Sequence, residues 1–177
     1  YTEKAELLII YNLQNDIVDY EYSLETHEDF YIQGFSFLND SILFIKYQVY
    51  NGGIRKTRII NFINGEILYD LPGVRDIAYS GSNDRLAMIY SKNILIFDGF
   101  SNNLDIDNPD KQIDGNYTDC CFSNNGKYLF TSGAIIWDLE TMDSIQLQGE
   151  GDLRKIEFID LSSNNKLLAG TSKEGRI

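Results

Sequence analysis

The sequence has few of the residues on which hydrolytic and disulfide-stabilised proteins depend. Its 177 residues contain one histidine, two cysteines and two prolines. A Ser-His-Asp or Cys-His arrangement would require the single histidine, His27, and there is no Gly-x-Ser-x-Gly motif. Two adjacent cysteines and one distant histidine cannot form a tetrahedral zinc site. We therefore expect no catalytic residues, no cofactor and no metal, and we predict that the chain is not an enzyme.

The cysteines, Cys120 and Cys121, are neighbours in the sequence. Adjacent residues of a strand point to opposite faces, so these two thiols are poorly placed to form a disulfide. We interpret them as reduced residues of an intracellular, cytoplasmic or nuclear protein. No apolar run approaches the roughly 20 residues of a membrane span. The chain begins with Tyr1 rather than Met, so we expect it to be a segment of a longer protein.

Basic residues are also scarce, because 15 Lys and Arg stand against 27 Asp and Glu, for a formal net charge of −12. Such a balance opposes binding to phosphate backbones, so no direct nucleic-acid contact is expected. It favours a protein partner, such as a Lys/Arg-rich peptide. The alternative is that the acidic residues only keep the domain soluble, and the composition leaves both explanations open.

Short runs of alternating or wholly apolar residues, bounded by Asn, Gly, Asp or Ser, fill the chain and predict an all-β fold. Two landmarks recur among them. Turn signals at Asn39, Asn83, Asn125 and Asn164 are 44, 42 and 39 residues apart. A second series, at Tyr11, Ile60, Phe97 and Trp137, is spaced by 49, 37 and 40 residues. Two landmarks with one mean period near 40 indicate a repeat protein.

One repeat carries a family resemblance. Residues 122–133, Phe-Ser-Asn-Asn-Gly-Lys-Tyr-Leu-Phe-Thr-Ser-Gly, followed by Ile-Ile-Trp-Asp-Leu-Glu-Thr at 135–141, resemble the second half of a WD repeat. The resemblance implies a WD40-like β-propeller, in which each repeat forms a four-stranded antiparallel blade. It also implies structural roles for Phe97, Asp98, Trp137 and Asp138, and burial of Trp137 against the next blade. His27 falls near the family's Gly-His position, but no repeat carries the family's full hydrogen-bond network, so we interpret the repeats as divergent.

The repeat period predicts about four blades, three complete and two partial. We assign a partial blade to 1–24, blades to 25–72, 73–110 and 111–150, and a partial blade to 151–177. The family usually closes with seven or eight blades, so we expect half of a larger ring, with the remaining blades elsewhere in the parent protein. Self-closure would instead require residues 7–13 to pair beside residues 166–172. The predicted strands are 30–37, 42–50, 56–63, 74–80, 85–90, 93–98, 117–122, 127–132, 134–139, 143–148, 154–159 and 166–171.

In propellers the loops that link successive blades form one rim, where partners bind. The inter-blade segments here, 25–29, 71–75, 105–119 and 149–155, contain ten acids and four bases. Loops also tolerate charge without any function, and that explanation stays open. The candidate partner-binding residues of this acidic rim are Glu25, His27, Glu28, Asp29, Arg75, Asp114, Tyr117, Glu150 and Asp152.

A calcium loop starting at Asp105 is the one metal motif that merits a test. Its carboxylates at the first and third positions fit, but the fifth is Pro109 and the twelfth is Asn116 rather than Glu. We interpret the segment as a solvated loop. The leading hypothesis is therefore a non-catalytic protein-interaction scaffold of a larger assembly. Its rivals are a regulatory or sensor propeller attached to an enzyme in the parent chain, and a metal-dependent propeller hydrolase.

Overall fold

A computed structural model describes residues 6–12, 14, 16–24, 30–49, 55–101, 104–149 and 152–172. The chain divides into two compact units, Tyr1–Gly73 and Val74–Ile177, which are considered separately. Within the described residues the only helical element is a single 3-10 turn at Leu153–Lys155. No helix in this part of the chain is long and apolar enough to cross a membrane. The predicted all-β class is confirmed.

The first unit contains one two-stranded and one four-stranded antiparallel sheet. Its strands are β1 (Glu6–Asn12) and β2 (Ile17–Leu24), then β3 (Phe30–Phe37), β4 (Ile42–Val49), β5 (Arg55–Asn61) and β6 (Glu66–Pro72). Strands β3 to β6 pair in sequence order, as in a propeller blade. One face of this sheet packs on Ile10 and Tyr20 of the smaller sheet. The buried residues of that face are Leu43, Ile45, Tyr47, Val49, Ile60 and Phe62.

The second unit contains two four-stranded sheets and a third of two strands, all antiparallel. The first consists of β7 (Asp76–Ser80), β8 (Arg85–Ile89), β9 (Asn93–Asp98) and β10 (Lys111–Asp114). The second consists of β11 (Cys120–Phe122), β12 (Tyr128–Thr131), β13 (Ile135–Asp138) and β14 (Ser144–Gln146). The third pairs β15 (Ile156–Leu161) with β16 (Leu168–Ser172). The first strands of the three sheets lie side by side, β7 next to β11 and β11 next to β15.

Apolar packing between the first two sheets of this unit forms its main core. The alternating apolar residues of β8 and β9 face those of β11 and β12, as expected where two half-buried sheets stack. The buried members are Ala87, Ile89, Ile94, Ile96, Ile113, Tyr117, Cys120, Phe122, Leu129 and Leu139.

The sheets confirm three complete and two partial blades, but one predicted boundary is wrong. Lys111–Asp114 pairs with β9, so this blade extends to Asp114 rather than ending at residue 110. The fourth strands β2, β6 and β10 are absent from the predicted set. Strands β6 and β10 are outer strands with mostly exposed or partly buried side chains, so they lack the apolar run that marks an inner strand.

The two partial blades contain different strands of the four-stranded repeat. In the described residues β1 pairs with β2 alone, and β16 pairs with β15 alone. By the repeat register, β1 and β2 are the third and fourth strands of a blade, whereas β15 and β16 are the first and second.

Antiparallel pairing gives every blade two ends, which we name by their turns. At the upper end lie the links from one sheet to the next and the turns between second and third strands. At the lower end lie the turns between first and second strands and those between third and fourth strands. Among the described residues of the second unit, the upper end contains 90–92, 115–119, 132–134, 147–149 and 152–155, and the lower end contains 81–84, 99–101, 104–110, 123–127, 139–143 and 162–167.

Candidate protein-binding site

The upper end of the second unit is held by hydrogen bonds that join successive sheets. The Thr118 hydroxyl donates to the Glu157 carbonyl at 2.6 Å, and the Ile159 amide donates to Asp119 Oδ2 at 2.8 Å. The Gly133 amide donates to the Ile156 carbonyl at 2.8 Å. The links between sheets are therefore fixed by the neighbouring sheet and present their exposed side chains from a preorganised backbone.

Three of the predicted rim residues lie together at this end. Arg75 precedes β7, and its Nη1 donates to Asn116 Oδ1 at 2.7 Å. Asp114 ends β10, is exposed and accepts a hydrogen bond from Gln112 at 2.6 Å. The prediction is wrong for Tyr117, which is only 7% exposed and belongs to the core. Burial raises the pKa of its phenol, so it contributes a neutral packing surface and not a partner contact.

Asp152 lies at the next link, beside an open pocket of about 530 Å³. Its Oδ1 accepts from Arg154 Nε at 2.9 Å, and this hydrogen bond lowers the pKa of the exposed carboxyl. Both side chains point to solvent, so the pair contributes charge pattern rather than stability. The pocket is lined by Gln146, Leu147, Gln148, Gly149, Asp152, Leu153 and Arg154.

The remaining predicted rim residues, and the other acids of the predicted inter-blade segments, are not at this end or lie outside the described residues. Glu25, His27, Glu28, Asp29 and Glu150 belong to the second group. Asp105, Asp107 and Asp110 lie at the lower end, because β10 reverses the chain after them. The described part of the predicted rim therefore balances Asp114, Asp119 and Asp152 against Arg75, Arg154 and Lys155.

The aspartates at the ends of the third strands, Asp98 and Asp138, join strands within their own blades. Asp98 forms ion pairs with Arg85 and with Lys111, the latter at 3.1 Å. Burial alone would raise the pKa of Asp98, but the hydrogen bonds from these two bases outweigh it and lower the pKa. Asp138 accepts from the Glu140 amide at 2.9 Å and lies 3.4 Å from Lys127 Nζ. Both aspartates contact the chain's own residues.

The two aromatic landmarks are packing residues. Phe97 is 3% exposed, whereas Trp137 is partly buried. Trp137 packs on the core shared with residues 74–114, so it faces the preceding blade and the expected contact with the next blade is wrong. Its indole Nε1 is buried, and it interacts with the phenol of Tyr117 in the same cluster.

Repeated Ser and Asn side chains stabilise the lower end of the second unit. The Ser123 hydroxyl donates to Asn125 Oδ1 at 2.7 Å, and the equivalent Ser162 donates to Asn164 Oδ1 at 2.8 Å. Between sheets, the Ser82 hydroxyl donates to the Asn124 carbonyl at 2.7 Å. The turns at this end are therefore also held by hydrogen bonds to the neighbouring sheet. The Asn residues that recur in the sequence form these turns.

Sequence reasoning missed an apolar groove at the lower end of the first unit. The groove has a volume of about 620 Å³ and lies between the two sheets of that unit. The sequence shows that Phe35 and Phe37 share a face of their strand, but not that this face is open. The lining residues are Ile10, Tyr20, Phe37, Leu38, Asn39, Asp40, Phe62 and Ile63.

Little in the described part of the chain suits covalent or metal chemistry. Among the described residues no group of three or more His, Cys, Asp or Glu is arranged to hold a metal ion. Burial, together with the charges of Asp119 and Asp160, raises the pKa of the Cys121 thiol to about 12. Cys120 is buried, and its burial raises the pKa of its thiol well above the usual range. Both thiols are thus poor nucleophiles at neutral pH.

Comparison with known proteins gives information on the fold of the chain. No protein-family model matches the sequence, and no curated protein matches it. A chain in the crystal structure of the mitotic checkpoint complex is similar over 96% of this chain and 52% of its own length, with 15% identity and a TM-score of 0.66. The structure of the Dos1 propeller is similar over 96% and 49%, with 10% identity and a TM-score of 0.59. A hydrazine synthase chain from Kuenenia stuttgartiensis is similar over 96% and 66%, with 13% identity and a TM-score of 0.54.

The chain spans about half the length of the first two of these structures. The sheets of this chain have the organisation of propeller blades, because their strands pair in sequence order and the sheets stack through their apolar faces. The chain therefore has the blade fold of β-propellers.

Proposed function

We propose that the chain is a non-catalytic scaffold, the part of a WD-repeat-like propeller that holds a protein partner within a larger intracellular assembly. The observation that carries this proposal is the rigid upper end of the second unit. Thr118, Asp119 and Gly133 fix its links by hydrogen bonds between sheets, while Asp114 and Asp152 project into solvent. Preorganised loops on a rigid scaffold lower the entropy cost of holding a partner.

The favoured partner chemistry is a Lys/Arg-rich peptide. The net charge of −12 attracts such a segment from a distance, and exposed carboxylates at the upper end provide places for it to bind. The balance of acids and bases in the described rim limits the strength of the attraction at contact. We therefore expect modest affinity and a strong dependence on ionic strength.

The test compares two pairs of charge reversals that change the net charge equally. One protein carries Asp114→Lys and Asp152→Lys at the upper end, and the control carries Asp107→Lys and Asp143→Lys at the lower end. All four side chains are exposed. Fluorescence anisotropy with a labelled 15-residue Lys/Arg-rich peptide is expected to show at least fivefold weaker binding for the upper pair only. Equal weakening by both pairs, or no binding to the unaltered protein, would contradict the proposal.

A further inference from the structure

The lower groove of the first unit has a preformed aromatic wall. The rings of Tyr20 and Phe62 meet edge to face with centroids 5.4 Å apart, and those of Phe37 and Phe62 meet in the same way at 5.5 Å. Phe62 is 8% exposed and anchors the wall in the core of the unit. An edge-to-face chain of this kind fixes ring orientation, so the wall is rigid before anything binds.

The groove leaves large apolar side chains in water. Phe37 is 54% exposed and Ile63 is 52% exposed. Single exposed apolar residues are common, but here both border one concavity of about 620 Å³. That volume lies within the range of about 300–1,000 Å³ typical of binding pockets, and it suits one or two bulky side chains.

The described turns at the groove carry acidic residues and no basic one. The two turns that form its rim, 38–41 and 62–66, contain Asp40 and Glu66 and no Lys or Arg. Asp40 lines the groove and is exposed. Asn39 Oδ1 accepts hydrogen bonds from the Ser41 amide at 2.9 Å and the Ile42 amide at 2.8 Å, and these bonds fix the turn that presents Asp40.

We infer that this groove is a second docking site, which binds an extended peptide through one bulky aliphatic or aromatic side chain flanked by Lys or Arg. The apolar side chain packs on Phe37, Phe62 and Tyr20, and the basic side chain faces Asp40. Apolar burial provides the affinity, and charge complementarity selects basic over acidic segments. The site lies in the first unit and is separate from the rim proposed for the second.

The test uses three labelled peptides in fluorescence anisotropy. The probe contains Lys-Phe-Leu-Lys between Gly and Ser residues, the second peptide replaces both Lys with Glu, and the third replaces Phe-Leu with Ala-Ala. The unaltered protein is expected to bind the probe at least tenfold more tightly than either of the others. Equal binding of the three, or no binding of the probe, would overturn the inference.

Protein variants then locate the site. Phe37→Ser and Asp40→Asn are each expected to weaken probe binding at least fivefold. The matched control is Phe158→Ser, because Phe158 is 57% exposed and belongs to the second unit. Ile63→Ser repeats the test at a turn residue whose replacement leaves the strands unchanged, so it decides the matter if Phe37→Ser fails to fold. Weakening by the Phe158 variant to the same degree would overturn the assignment.

The groove has two other conceivable occupants, further strands of the same fold and a second copy of this chain. Sedimentation equilibrium separates them from the proposed peptide. A monomer that binds the probe supports the inference. A dimer that Phe37→Ser dissociates and that does not bind the probe would show that a second copy covers the groove. If the protein is a monomer and does not bind the probe, even at low salt, further strands of the same fold would be the occupant and the inference would be overturned.

Discussion

Replacing Gly126 with alanine tests whether the lower turns of neighbouring blades pack against one another in the second unit. Gly126 has φ +61°, and a Cβ placed on it would lie 2.7 Å from Ser80 Oγ and 2.8 Å from Asn83 Cγ. The left-handed conformation costs an alanine about 1–2 kcal/mol. The forced displacement of two fixed side chains adds about 1–3 kcal/mol. We expect Gly126→Ala to lower the free energy of unfolding by about 3 kcal/mol.

The matched control is Gly99→Ala. Gly99 has φ +75°, but a Cβ there would meet nothing within 4 Å. This variant incurs the backbone cost alone, about 1–2 kcal/mol. Urea unfolding measures the loss of stability of each variant, provided that their m-values are equal. The difference between the two losses is the cost of disturbing the contact between turns. If the two variants lose the same stability to within about 0.5 kcal/mol, the turns do not pack as described and the reasoning fails.

Three further outcomes are expected. Trp137→Ala should lower the free energy of unfolding by about 3 kcal/mol, which is at the low end for Trp because the ring is partly buried. Trp137→Phe should lower it clearly less, and urea unfolding measures both variants. A loss below about 1 kcal/mol for the alanine variant would show that the ring does not support the core. The pKa of Asp98 is lowered in the folded protein, so its ion pairs stabilise the fold fully above the unfolded pKa near 4, and this stabilisation is lost as the pH falls through the lower folded pKa. Asp98→Asn should therefore make the free energy of unfolding fall less steeply as the pH is lowered below about 4. An unchanged pH dependence would count against these ion pairs. The Cys121 thiol, with its pKa raised to about 12, should react with iodoacetamide at pH 8 far more slowly than a thiol in a short peptide, and a matching rate would contradict its burial.

The repeat period was sufficient to predict the blades, because inner strands are enclosed on both faces and read as apolar runs between Asn-containing turns. Strands β8 and β9 are examples, with burial along most of their length. The outer strands β6 and β10 carry no such signal. Three of the four residues of β10 are not buried, so its sequence resembles a loop.

The omission of β10 also explains why the predicted rim was only partly correct. Each strand of a meander reverses the chain, so an unrecognised strand moves every residue before it to the opposite end of the blade. Asp105 and Asp107 were assigned to the upper end for this reason. The burial of Tyr117 is a different failure, since a Tyr in a polar segment can face either water or core, and only tertiary packing decides.

Hydrogen bonds between sheets at both ends of the second unit have a consequence for how it opens. At the upper end the Ile159 and Gly133 amides, and at the lower end the Asn124 amide at 2.9 Å from Asn165 Oδ1, donate to a neighbouring sheet. The second and third sheets of the unit cannot separate at either end without breaking bonds that join them. Local fraying between these two sheets is therefore suppressed. In native-state hydrogen exchange these three amides should share a single slow rate, set by the separation of the second sheet from the third.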